Sequence, residues 1–193
     1  MEHAQSTPVP RMKFPDNLFW NYSCQLFQIT EVADACLFLQ NHFDADVNIL
    51  LYGCWAGENR IALDNDDIQK LILASEPWQT AIIQPLRAAR KLMKNQIIAM
   101  PANLHTQTIS NLNEMELNAE HMAQLDLEKT INFETRPAGS DTTINISARN
   151  LFLYAQTLAA AQTSDLSGRI TDLLKHVYGD DEKVQIAMMA AMA

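Results

Sequence analysis

The chain has 193 residues, 48% of them hydrophobic, and sets 14 Lys+Arg against 23 Asp+Glu for a formal net charge of −9. That length and apolar content suit one compact domain and exclude disorder over most of the chain. So small a basic complement argues against a nucleic-acid scaffold, whose affinity for phosphate comes from Lys and Arg.

Only five glycines are present, where average usage would supply roughly 13. The tight turns of an all-β fold lean on Gly, so the composition predicts an all-α protein. The expected architecture is a single-domain bundle of about six to eight helices over residues 15–178, packed around a central apolar helix at 46–56. Residues 1–14 read as a flexible arm, and 179–193 as a frayed or disordered tail.

Pro15 and Asp16 open the first helix, with Leu18, Phe19, Tyr22, Leu26 and Ile29 at helical spacing. Thr30 stands where a second helix needs its N-cap, and Val32, Ala35, Cys36, Leu39 and Phe43 form its apolar face. Asp44 or Asp46 caps the third. From Val47 to Trp55 it is apolar nearly all round, which suits a helix surrounded by others; a buried strand is the alternative for so short a run. Asp64 caps a fourth helix, with Asp66 and Asp67 in its first turn.

Pro77 is expected to break that helix and start a fifth at Trp78, kinked at Pro85, with Trp78, Ile82, Leu86, Ala89 and Met93 inward. A sixth is expected over 108–133, burying Leu112, Met115, Ala119 and Met122. After the loop at 136–140, Asp141 can cap a seventh helix with Ile144, Ala148, Leu151, Ala155 and Leu158 as its seam, and a short eighth follows over 168–178.

The charge is unevenly spread. No Lys or Arg stands between Lys13 and Arg60, nor between Lys94 and Lys129, yet Arg87, Arg90, Lys91 and Lys94 fall within eight positions. At helical spacing these four share an arc of about 100°. They make a candidate docking stripe for an acidic protein partner or a phosphate group, or a solvated helix face suited to a helix C-terminus. A second candidate is a polar pocket in the bundle centre built from Asp44, Asn48, Tyr52 and Trp55, because buried polar groups need partners. The plainer reading of those residues is a satisfied core network.

The acid pairs at Asp64/Asp66/Asp67 and Asp180/Asp181 read as helix caps and not as a Mg²⁺ cluster, since one opens a helix and the other opens the tail. No Glu-x-x-His, His-x3-His, phosphate-loop, dinucleotide or Gly-x-Ser-x-Gly motif is present, so no metal site or cofactor is expected. Catalytic groups also assemble from distant positions, so the motif scan lowers the expectation of an enzyme without deciding it. Cys24, Cys36 and Cys54 lack C-x-x-C spacing and read as buried, reduced thiols. No stretch is long and apolar enough for a membrane span, and the polar start at 1–15 has no signal core, which predicts a cytoplasmic protein.

Several strings carry a resemblance: Phe19-Trp20-Asn21-Tyr22-Ser23, Ala35-Cys36-Leu37, Ala45-Asp46-Val47-Asn48-Ile49-Leu50-Leu51, Cys54-Trp55, Pro77-Trp78, and Pro85-Leu86-Arg87-Ala88-Ala89-Arg90. Together, over about 16–160, they resemble a family of small, conserved proteobacterial proteins of unknown function. The resemblance implies a cytosolic bacterial protein and transfers no activity. The leading expectation is a non-enzymatic adaptor or regulatory module that binds another protein through the basic stripe. The alternative is an enzyme or small-molecule carrier using the polar pocket.

Overall fold

The structure, a computed structural model, describes residues 12–95, 99–158 and 164–193. Most of the expected arm therefore lies outside the described residues. The helices are α1 (Leu18–Phe27), α2 (Thr30–Phe43), α3 (Val47–Glu58), α4 (Asn65–Trp78), α5 (Gln84–Lys94), α6 (Ala102–Thr130), α7 (Thr143–Ala155), α8 (Ser164–Tyr178) and α9 (Asp181–Met192). No strand occurs among the described residues, and one main core joins the elements, so the fold is the all-α single domain expected.

The start signals are local and satisfied. Asn17 accepts from the Trp20 N–H to open α1, Asp46 accepts from the Asn48 N–H to open α3, and Thr142 accepts from the Asn145 N–H to open α7. At α4 the Asp64 side chain takes the Asp67 N–H while the Asp67 side chain takes the Asp64 N–H, a reciprocal capping box. Asp67 is also buried against the Arg136 guanidinium at 2.5 Å, so this acid cluster caps and ties the 136–140 loop. Asp44 adopts a left-handed φ of 55° and ends α2.

The central position of α3 follows from its sequence. Every residue from Asn48 to Gly57 is buried, and no single apolar stripe could achieve that on a surface helix. Its closest neighbour is α7. Gly53 and Gly57, one turn apart, remove the side chains that would hold the two helices apart. A Cβ on Gly57 would lie 1.8 Å from Ser147 Oγ, and one on Gly53 would lie 2.7 Å from Leu151 Cδ2.

The expectation of a break at Pro77 is corrected. The helix runs through Pro77 to Trp78 and continues as a π-turn, Gln79–Ile83, directly into α5. The widened turn sits just before Pro85, which has no N–H to donate and whose ring would crowd a regular α-turn; the Gln84 N–H reaches back five residues to the Gln79 carbonyl. The extra residue advances the inward face by one position. Ile83 is fully buried in place of the expected Ile82, which is 41% exposed. Arg87 and Arg90 turn inward with it.

The 29-residue α6 runs antiparallel to this arm. Trp78 Nε1 donates to Asp126 at one end, and the His105 ring meets the Met93 carbonyl at the other. The expected frayed tail over 179–193 is also corrected. Asp180 caps α9, and Val184, Ala187 and Met188 are buried, at a spacing that presents one face to α7 and α8. Burying a side chain the size of Val or Met contributes about 1.5–3 kcal/mol, enough to hold a short helix that would fray alone.

Candidate ligand-binding cleft

Five helices, α1, α2, α3, α5 and α6, enclose a cleft of about 430 Å³. Its apolar lining has Phe27 of α1, Leu37 of α2 and Leu117 of α6 exposed at the mouth, with Trp20 of α1 half-buried and Leu51 of α3 buried. Trp20 is held in orientation by stacking on the His121 ring at 4.1 Å, and Phe14 stacks on the same imidazole at 4.0 Å. Burial lowers the pKa of His121, favouring the neutral ring that stacks here.

The inner part is polar and comes from residues far apart in sequence. On α6, Glu116, Glu120 and Gln124 recur every four residues and form one inward stripe. Arg87 Nε donates to Glu116 Oε1 at 2.9 Å, and a terminal nitrogen of the same guanidinium donates to Glu120 Oε1 at 3.0 Å. Arg90 makes a two-pronged contact with Glu116, at 2.7 and 3.1 Å. Asn48 Nδ2 donates to Glu120 Oε2 at 2.6 Å, and Gln124 Nε2 donates to Asn48 Oδ1 at 2.8 Å.

The two acids respond oppositely to this setting. Burial raises the Glu120 carboxyl to about 7, against the partial relief given by Asn48 and Arg87. At Glu116 burial acts in the same direction, but the guanidinium groups of Arg90 and Arg87 outweigh it and hold the carboxyl below its ordinary value. Beneath them Asp46 accepts from the Ser75 hydroxyl, the Gln79 amide at 3.0 Å and the Asn48 N–H at 2.9 Å, while its own N–H donates to the Tyr154 hydroxyl at 2.7 Å. Burial pushes the Asp46 carboxyl up as well.

Of the candidate pocket residues, Asn48 lies on the cleft floor and the other three do not line it. Asp44 is exposed at the end of α2. Tyr52 and Trp55 belong to an aromatic cluster with Phe19 and Phe133, with ring centroids 4.6–6.0 Å apart. Of the basic stripe, Arg87, Arg90 and Lys91 line the cleft, whereas Lys94 stays at the exposed end of α5. The two separately marked features thus meet at Asn48, Glu120 and Arg87.

The sequence pattern missed Asp46 as a network member and missed Glu116, Glu120 and Gln124 altogether, because acids on a long helix read as its wet face. The signal was the four-residue recurrence of the three α6 side chains in phase with the small residues Ala119 and Ala123. Met115, expected inward, is 55% exposed.

Two residues that line the cleft carry a fully buried polar atom without a hydrogen-bond partner among the described residues, Ser23 Oγ and Gln124 Oε1; Asn17 Nδ2, Tyr22 Oη, Tyr52 Oη and His121 Nε2, on residues that do not line it, are unpartnered there too. No group of three or more metal-ligating side chains occurs among the described residues, and no described helix is long and apolar enough to cross a membrane.

Fold and cleft together define a helical single-domain protein with an amphipathic, side-opening cleft. The chain belongs to a protein family of unknown function, DUF2390, whose model matches residues 18–127. That span runs from the start of α1 almost to the end of α6 and contains every residue that lines the cleft. No curated protein and no solved structure matches the chain.

Proposed function

We propose that this protein binds a small molecule in the α1/α2/α3/α5/α6 cleft. The observation that carries the reading is the pair of unpartnered buried atoms, Ser23 Oγ and Gln124 Oε1, on residues that line a cavity of about 430 Å³. A buried polar group left without a partner costs about 1–3 kcal/mol, so an occupant that completes both bonds gains that energy on entering. The volume lies within the usual small-molecule range of ~300–1,000 Å³. Docking of an acidic partner on Arg87, Arg90, Lys91 and Lys94 is supported less well: Arg87 and Arg90 are already neutralised by Glu116 and Glu120. The role is one of binding, as a carrier or sensor, with no catalytic step assigned.

Cys24 supplies the test. It lines the cleft and is part-exposed, while Cys36 and Cys54 are buried, so a thiol reagent applied to the folded protein reports on the cleft. A metabolite and fragment library is screened by thermal shift and by iodoacetamide labelling of Cys24, followed by mass spectrometry. Compounds are expected that raise Tm and slow Cys24 labelling, and that lose both effects in Leu37→Trp, which fills the outer cleft. A library without such compounds, or with compounds indifferent to Leu37→Trp, contradicts the reading.

A further inference from the structure

The floor of the cleft is a directed chain of hydrogen bonds, and its direction determines what an occupant must offer. Arg87 holds Glu120 Oε1, and above about pH 7 the ionised Glu120 carboxylate only accepts. Glu120 takes Asn48 Nδ2, which fixes the nitrogen end of that amide, so Asn48 Oδ1 must accept in turn and takes Gln124 Nε2. Gln124 Oε1 is left as the open end, an acceptor 3% exposed at the level of the whole residue and without a donor among the described residues. Flipping the Gln124 amide does not relieve this, because it sets two carbonyl oxygens against each other. Ser23 Oγ, on a residue 4% exposed, is the second open group and can donate or accept.

A carboxylate head has no hydrogen to give Gln124 and would bring its charge toward Glu120. Of the cations that line the cleft, Arg87 and Arg90 already hold Glu116 and Glu120, and Lys91 is solvent-exposed on α5. Away from the floor the lining mixes apolar side chains with Gln40, Asn41, Lys91 and Asn113, and Phe27, Leu37 and Leu117 remain 38–56% exposed at the mouth. An occupant that suits both ends is polar at one end and greasy along its body.

Building on the binding reading above, we propose that the ligand is an uncharged amphiphile. It carries an N–H or O–H donor, as in a primary amide or an alcohol, on an apolar body. The donor enters first and meets Gln124 Oε1, and the body lies against Trp20, Phe27, Leu37 and Leu117. Gln124 is then the residue that selects donors over acceptors.

Four probes with one alkyl chain test this on the full-length protein: octanamide, methyl octanoate, octanoate and octylamine, read by Cys24 protection and by titration calorimetry. Octanamide is expected to bind at least tenfold tighter than methyl octanoate, which has no donor, and tighter than octanoate or octylamine. In Gln124→Met that preference over the ester is expected to fall to within threefold while the ester's own affinity is kept. Should Gln124→Met fold poorly, Ser23→Ala provides the second variant and is expected to reduce the preference in part.

Equal binding of amide and ester overturns the ligand class, as happens if ordered water completes the floor. Tightest binding by octanoate or octylamine, or a preference that survives Gln124→Met, overturns it too. In each of those cases, or if the library gives cleft ligands while all four probes fail, the binding reading stands and only the ligand class falls. If the library and the probes both fail, both fall.

Discussion

Two buried amides flank α3, and their difference separates fold from site. On the α7 side Asn150 is complete: its Oδ1 accepts from the Leu63 N–H at 2.9 Å, and its Nδ2 donates to the carbonyls of Gly53 and Ile61 at 3.2 and 3.1 Å. On the α6 side Gln124 donates once and leaves its oxygen open. The first amide stitches the middle of α3, at Gly53, and the following loop to α7, in a contact so close that a methyl group on Gly53 or Gly57 would meet Leu151 or Ser147. The second ends a chain of polar groups at a cavity. A satisfied network rigidifies a fold, whereas an unsatisfied buried group calls for an explanation, which the proposed occupant would supply.

The largest expected effect lies on the closed side. Gly57→Ala puts a methyl 1.8 Å from Ser147 Oγ and 3.0 Å from the Ser147 backbone nitrogen. Overpacking of this kind costs about 3 kcal/mol or more, equivalent to a Tm drop of about 6–12 °C in a domain of this size. Shortening Ser147 by Ser147→Gly should recover part of the loss. A Gly57→Ala protein as stable as wild type in thermal unfolding would mean that α3 and α7 are not in close contact.

Asn150→Ala comes next. It strips the Leu63 N–H of its acceptor and the Ile61 carbonyl of a donor, at about 2–3 kcal/mol. Denaturant unfolding measures it, and cleft ligands should bind the folded fraction unchanged. A change in their affinity would show that the two sides of α3 are coupled.

The third effect depends on pH. Burial raises Glu120 from its ordinary 4.5 to about 7, so the folded chain holds a proton that the unfolded chain has released. Stability from this group therefore falls as pH rises from about 4.5 to 7, by a total of roughly 3–4 kcal/mol. Asp46, also raised, slopes the same way, and Glu116, lowered, slopes the other way. Comparing Glu120→Gln with wild type isolates the one group: the wild-type stability relative to the variant should decline between pH 5 and pH 8, by urea unfolding. An equal pH dependence in both proteins would place Glu120 in a wetter setting than the fold implies.

The smallest stability effect marks the open side. Gln124→Met deletes one hydrogen bond to Asn48 together with one unsatisfied acceptor, and these offset to within about 1 kcal/mol. Ligand selection should nonetheless change more here than in Asn150→Ala. A large loss of stability would show that Gln124 belongs to the fold as Asn150 does.

The sequence made particular elements legible. The all-round apolar run at Val47–Trp55 pointed to a central helix, and Asp64 with Asp66 and Asp67 pointed to a capped start; both are features of neighbouring residues. The α9 helix was also within reach, since Val184, Ala187 and Met188 are spaced by three and four, but a short Met/Ala-rich segment is stable only when packed. The cleft was half legible. Asn48 and the basic stripe were marked as two separate features, while Glu116, Glu120 and Gln124 were not marked, because periodicity treats a polar side chain as outward-facing.

By itself, then, the sequence determined the helical class, the central place of α3 and the capped starts of α3 and α4, since these depend on spacing and on bonds spanning two or three residues. The tertiary structure alone decided which polar groups turn inward. One added residue in the π-turn before Pro85 changes the phase of α5 and brings Arg87 and Arg90 onto acids 26–33 positions away. A charge is stable inside only where its partner is also inside, and the meeting of partners that far apart is a property of the packed chain.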